Sequence, residues 1–429
     1  MSHIRTGNYL SKIARVTFLI YLFFTFFGTA LPFRDRAASV DEVGTSNIVN
    51  QILFTSLFLV SSVCLYPKRK ELARFIIKEK FLTMFLLWCL LSVVWSNYPF
   101  VSFKRIFQIF SSVTVILAFL FHVNETNDSL KYFKAILYLY IPLSILSCLV
   151  IPGAIDPVHS TWRGLTVGKN YLGQAGLVSI IVWMYTMKSN SLKSKFISGI
   201  LLVLSAVLLV GSWSMTSILT FVLLTFLFVL FSIDKIFRSL CIGKTFSVLI
   251  IVSSILLFIS IYYLGFDLIA SSFNRMGKDT TFTGRTDLWI DILKIASDRL
   301  VMGYGYGGFW VIQYDNLDLM RLYEKYVWLP NEAHLGYLDI FVETGLLGLS
   351  LFVLMVIFYF KNLQKLKKPP FGLWLFVAAL ILNLQESTLF FSKILTGELF
   401  LFAYLALYAE VIKLNQVPGR QSPSLKSQR

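Results

Sequence analysis

The sequence predicts an all-α polytopic membrane protein, with about 12 transmembrane helices and one large outer loop. Three observations support this. Apolar runs of spanning length recur from end to end of the 429 residues. Charged residues are only 14% of the chain, about half the share usual in soluble proteins. Lys and Arg fall between the apolar runs and divide unequally between alternate loops. The chain is 56% hydrophobic, with mean hydropathy +0.71.

The spans fall near 16–32, 47–66, 81–97, 106–123, 132–151, 171–187, 196–213, 216–233, 246–264, 335–360, 371–388 and 394–412. Residues 1–15 are polar and basic. The first apolar run ends in Phe33-Arg34-Asp35-Arg36 with no small-x-small pattern, so it reads as a span and not as a cleaved signal. With the N-terminus inside, inner segments carry 25 Lys and Arg and outer ones 14, half of the latter in one long loop. Both termini are then cytoplasmic. Residues 1–264 hold spans one to nine, 265–331 the large outer loop, 332–412 spans ten to twelve, and 413–429 a cytoplasmic tail.

Composition excludes several classes. The net charge of +16 suits basic loops facing anionic lipid and does not call for nucleic acid. Cys64, Cys89, Cys148 and Cys241 lie in or beside apolar runs without a CxxC pair, which argues against a disulfide framework or metal site. No phosphate-binding glycine loop, HExxH or outer acidic pair appears, so neither a nucleotide cofactor nor a metal is expected.

The long outer loop contains TGRTDLWIDILKIASDRLVMGYGYGGFW. Leu288, Ile292, Ile295 and Leu300 recur near helical spacing, which predicts a short amphipathic helix over 286–299 before a Gly/Tyr-rich turn, 303–308. The loop therefore reads as an ordered cap.

The stretch NEAHLGYLDIFVETGLLGLSLF (331–352) carries Glu332, His334, Asp339 and Glu343 at the head of a span. Asn331 can cap that helix, placing His334 in its first turn, where the dipole favours a neutral imidazole able to act as general base. Asp339 and Glu343 share a helix face, and ionisable groups in the apolar layer usually face a cavity or a partner. Gly345 and Gly348 permit close helix packing. Arg285, Arg163, Lys169 and Arg105 fall on the same outer side, and Arg suits diphosphate oxygens with its forked donors. His159 is a weaker second base.

These motifs resemble the O-antigen ligase and polymerase family of bacterial envelope glycosyltransferases. The resemblance rests on WSNYPFVSFKR (95–105), RGLTVGKNYLG (163–173), GRTDLW (284–289) and AHLGYLDIFVETGLLG (333–348). It implies a GT-C-like, inverting, metal-independent glycosyltransferase of the bacterial inner membrane. The donor would be an undecaprenyl-diphosphate-linked oligosaccharide, used at the periplasmic face. His334 would be the catalytic base and Arg285 the grip on the diphosphate. Arg163, Lys169 and Arg105 would assist, with Asn170, Glu343 and Asp339 in support. The acceptor would be a lipid-linked glycan or lipid A core, with other polysaccharide assembly proteins as partners. The family's basic residue in a serine-rich turn is replaced here by Met215. GKNYLG is similar to exopolysaccharide polymerases, which favours a polymerase; a ligase is the alternative. A lipid-linked sugar transporter, a third reading, would call for paired repeats that the chain lacks.

A topology prediction follows from the charge count. A reporter active only in the cytoplasm, fused within 67–80 or 361–368, is expected to be active. Fused within 265–331, it is expected to be silent. The reverse pattern would invert the orientation.

Overall fold

The computed structural model describes residues 2–28, 48–123, 128–156, 160–187, 191–239, 283–311, 316–326, 330–366, 370–390 and 395–414. The described part is helical, with a single isolated bridge between Ile155 and Trp162. In chain order the helices are α1 (Ser2–Phe27), α2 (Ile48–Leu65), α3 (Arg69–Lys78), α4 (Lys80–Leu91), α5 (Pro99–His122), α6 (Ser129–Val150) and α7 (Lys169–Thr186). They continue with α8 (Leu192–Gly211), α9 (Met215–Ser239), α10 (Thr283–Ser297), α11 (Leu317–Lys325), α12 (Gly336–Leu363), α13 (Gly372–Leu382) and α14 (Leu395–Leu414).

Seven of the described helices are long and apolar enough to cross a membrane, and three shorter ones are apolar. The expected count of 12 is not reached among the described residues, and the ninth expected span, 246–264, lies outside them, as does His159. α14 is the axis of the bundle: 94% of its spanning window is buried. Its aromatic face stacks on α13 and α12 through Phe376, Phe400, Tyr404 and Tyr359. Cys64, Cys89 and Cys148 are buried free thiols, as expected of small apolar fillers.

Three expectations are corrected. α1 begins at Ser2, well before the first span's expected start near 16, so the basic head is part of the helix. The eleventh span stops at Leu382 and not 388, because Asn383 replaces the helix with a turn: its Oδ1 accepts from the amides of Thr388 and Leu389, 3.1 Å each. α12 starts at Gly336, after an N-cap at Leu335 without a side-chain cap, so Asn331 does not cap it and His334 precedes it.

Within the expected outer loop, the described residues 283–311 and 316–326 form a cap with its own apolar core. Leu288, Ile292 and Ala296 of α10 meet Leu319 and Leu322 of α11, together with Tyr304, Phe309 and Trp310. α11 was not foreseen. Lys325 (2.5 Å) and Tyr326 (2.8 Å) bind Asp291 and tie it to α10.

The cap joins the bundle at a break in α12. Gly345 has φ 68 and ψ −171, outside helical values. The segment 300–305 lies alongside and takes up the freed backbone groups. The amides of Tyr304 and Gly305 donate to the carbonyls of Val342 and Glu343, and those of Leu346 and Leu347 to Leu300 and Val301. Trp88 of α4 donates to the Thr344 carbonyl at 2.8 Å. Irregular backbone in an apolar layer is tolerated only where protein satisfies it in this way. Gly345 thus packs against loop backbone, not against the neighbouring helix that the sequence suggested. A Cβ there would sit 2.2 Å from the Val301 carbonyl oxygen, and one at Gly303 2.5 Å from Glu343 backbone.

Gly345→Ala therefore meets both a forbidden φ and a backbone collision. We expect a loss of at least about 2 kcal/mol, read as a clear fall in thermal midpoint in detergent. Gly199→Ala, in open space, is expected to leave the midpoint unchanged.

Candidate functional site

His334 lies in the short segment between cap and α12, in left-handed backbone with φ 51. Histidine is among the residues that tolerate this region, and three separate elements hold it there. From the cap, Trp289 of α10 donates its indole N–H to the Ala333 carbonyl at 2.8 Å. From α12, Asp339 accepts the Ala333 amide with both oxygens, 3.2 Å each. From the segment after α13, the Asn383 carbonyl accepts the Gly336 amide at 2.9 Å. Gly336 is required there, since a Cβ would meet the Asn383 amide group.

Asp339 is fully buried. Besides Ala333 it accepts from the Trp310 indole at 2.6 Å and from the Ser387 hydroxyl. One carboxylate therefore joins cap, α12 and the 383–390 segment. A buried carboxylate is tolerated when its lone pairs are filled in this manner.

Around the imidazole, Nδ1 lies 2.8 Å from Glu332 Oε1 and 3.8 Å from Glu386 Oε2. The other oxygen of Glu386 accepts from the side-chain amide of Asn170 at 2.8 Å. Asn170 and Lys169 form the first turn of α7, and Gly168 is its N-cap. Arg285 stands at the start of α10, one turn before Trp289, close enough for its charge to act on His334. The structure thus brings together His334, Arg285 and, through Glu386, Asn170, while Lys169 precedes Asn170 at the start of α7.

Two other expected site residues are engaged elsewhere. Arg163 is buried and donates to the Gly153 carbonyl at 2.5 Å. Arg105 donates to the Gly307 carbonyl at 2.7 Å, on the Gly/Tyr-rich turn, with Glu343 beside it. Among the described residues, no hydrogen bond or ion pair links either arginine to the His334 cluster. Both hold loop backbone, and Glu343 belongs with Arg105. Met215 opens α9 and is 40% exposed, beside the buried Ser214 and Ser217.

The expectation of a neutral imidazole is also corrected. Burial lowers the pKa of His334 and Arg285 opposes its charge, but Glu332 and Glu386 outweigh both and push it up to about 9. The helix dipole no longer bears on the ring, which sits ahead of the helix. Because the folded value exceeds the unfolded one of about 6.5, the stabilisation is complete below that unfolded value. It is lost as pH rises through the folded one.

The donor atoms of Glu332, His334 and Glu386 lie within 4.8 Å of one another, a spacing that also suits a cation. The 2.8 Å contact of Glu332 with Nδ1 is an ion pair of the charged imidazole and not an aligned hydrogen bond. Glu386 and Ser387 carried no role in the sequence reading, and Glu332 was seen there only as a charge. The available signal was a carboxylate inside an apolar run, LNLQESTLFF.

The arrangement defines a multi-pass membrane protein whose polar residues converge at one end under a helical cap. Residues 200–353, a stretch that includes Arg285 and His334, match the O-antigen ligase family model. Over 307 residues the chain is 27% identical to the exopolysaccharide production protein ExoQ of Rhizobium meliloti (strain 1021). That alignment covers 66% of this chain and 65% of ExoQ, just under two thirds of the relative's length. It is 26% identical over 336 residues to a Rickettsia typhi (strain ATCC VR-144 / Wilmington) protein provisionally named a polysaccharide ligase, covering 74% of this chain and 76% of that one.

Removing the Asp339 carboxylate strands three buried donors. Asp339→Ala is expected to cost about 3 kcal/mol or more, seen as a lower thermal midpoint and faster proteolysis within 283–335. Unchanged proteolysis would show that the cap is held by other means.

Proposed function

We propose that this chain is a glycosyltransferase that acts on glycans carried by a lipid diphosphate, and that it joins repeat units into a longer polysaccharide. The observation that carries this reading is a histidine within reach of the charge of Arg285 on the cap helix and linked through Glu386 to Asn170 in the first turn of α7. The match to the O-antigen ligase family model and the similarity to a protein named for exopolysaccharide production support the substrate class.

In this reading the donor is undecaprenyl-diphosphate-linked and reaches the site from the periplasmic side of the inner membrane. Arg285 and Lys169 grip the diphosphate, helped by the free N–H groups at the α7 N-terminus. His334 takes the proton from an acceptor sugar hydroxyl. The resulting oxygen attacks the anomeric carbon, the bond to the diphosphate breaks, and configuration inverts. Developing charge on the leaving diphosphate is met by positive groups already in place. No metal is required. A ligase would share these steps and differ in its acceptor; the name of the Rickettsia typhi relative favours that second reading.

Purified protein supplied with a lipid-diphosphate repeat unit and a chelator should extend the chain and release the lipid diphosphate. His334→Ala should lower the rate by at least about 100-fold at equal protein level. Arg285→Ala should weaken use of the donor. The rate should climb with pH as His334 loses its proton, towards about 9. Full activity in His334→Ala would remove the base, and dependence on added metal would remove the metal-free mechanism.

A further inference from the structure

The cap reaches further down α12 than a connection between helices needs to. Leu346 and Leu347 donate their amides to the carbonyls of Leu300 and Val301, so the turn 300–302 runs beside the helix below its break. Leu346 lies 15 residues before Lys361, the charged end of α12. That separation is about 22 Å along the axis at ~1.5 Å per residue. The apolar layer of a bilayer is about 30 Å thick, and tilt of α12 only lowers the height reached. With Lys361 at one edge of that layer, the turn falls roughly 8 Å inside the other edge.

The side chains suit that depth. Leu300, Val301, Met302, Leu346 and Leu347 are 43–51% exposed, so five large apolar groups on adjacent backbones stand uncovered. α10 also carries more apolar surface than the cap core uses. Leu288, Ile292 and Ala296 fill that core, while Ile290 and Leu293 form a second, exposed apolar sector beside it. Asp287 and Lys294, also exposed, occupy the third side. A helix divided in this way lies along a membrane surface with its apolar sector in the leaflet. Polar groups resume just before the turn: Asp298 is exposed, and Arg299 donates to the Trp95 carbonyl at 3.3 Å and to Asn97 Oδ1 at 3.0 Å.

We propose that the cap is embedded in the bilayer: Ile290, Leu293 and the turn 300–302 are covered by acyl chains of the leaflet on the cap's side. Through Leu346 and Leu347 this surface is continuous with the outward side of the spanning helix α12, and acyl chains are the partner its chemistry fits. It does not depend on the assignment of His334 as base. It does set a level for the site. Gly336 lies ten residues before Leu346, about 15 Å higher along α12. The His334 segment then stands at the depth of lipid headgroups. A lipid that carries a diphosphate presents that group at the same level without leaving its leaflet.

The test places a benzophenone amino acid at single positions of the full chain in nanodiscs of phosphatidylethanolamine and phosphatidylglycerol, followed by irradiation and mass spectrometry. At Leu293 and Val301 the photoproduct should be a phospholipid adduct, in a yield comparable to that at Val353, an exposed position deeper in α12. At Lys294, on the polar side of α10, the adduct should be lost. Cross-linking of Leu293 or Val301 to a second copy of the chain would overturn the embedding. So would the absence of a lipid adduct at either position where Val353 gives one, or an equal yield at Lys294. If the Val301 variant does not fold, Leu293 and Met302 decide by the same comparison.

Discussion

The constraint on which the site depends is the charge and geometry of one buried side chain, Asp339. An apolar interior cannot hold a carboxylate unless its oxygens find donors. Here the donors come from Trp310, Ala333 and Ser387, in parts of the chain far apart in sequence. Satisfying one group therefore fixes the cap, the His334 segment and the 383–390 segment relative to one another. His334, Glu332 and Glu386 meet because their neighbours are bound to the same carboxylate.

A second constraint acts through the backbone. α12 is interrupted at Gly345, and the freed groups are satisfied by residues 300–305. The Gly/Tyr-rich turn that follows is buried, with Arg105 bound to the Gly307 carbonyl. The Tyr306 hydroxyl donates to the Phe390 carbonyl, so the turn also reaches the segment that carries Glu386. Cap and bundle thus share hydrogen bonds as well as apolar contacts.

Much of this was legible in the sequence. Helical periodicity in 286–299 gave α10, which spans Thr283–Ser297. Arg285 and Asn170 were joined to His334 through the family resemblance alone; in the structure the charge of Arg285 acts against a charged His334, and Asn170 binds Glu386. What could not be read depends on backbone path. The run ending near 388 is apolar enough to look helical throughout, and only the side-chain hydrogen bonds of Asn383 show why it turns. The same limit applied to His334: a cap at Asn331 fitted local preference, but tertiary bonds to Ala333 and Gly336 decide where α12 begins. Arg163 and Arg105 show the converse. Their charge suggested anion binding, while one donor of each is bound by a turn carbonyl.

The position of the 383–390 segment has a consequence for biosynthesis. Asn383, Glu386 and Ser387 come after α13, and they supply the last partners of Gly336, His334 and Asp339. A nascent chain that has released the cap and α12 still holds an Asp339 lacking one of its donors and a histidine segment anchored on only two sides. Maturation of the site is therefore a late, C-terminal event. Until the last pair of helices is in place, the chain has a folded roof above an unfinished floor.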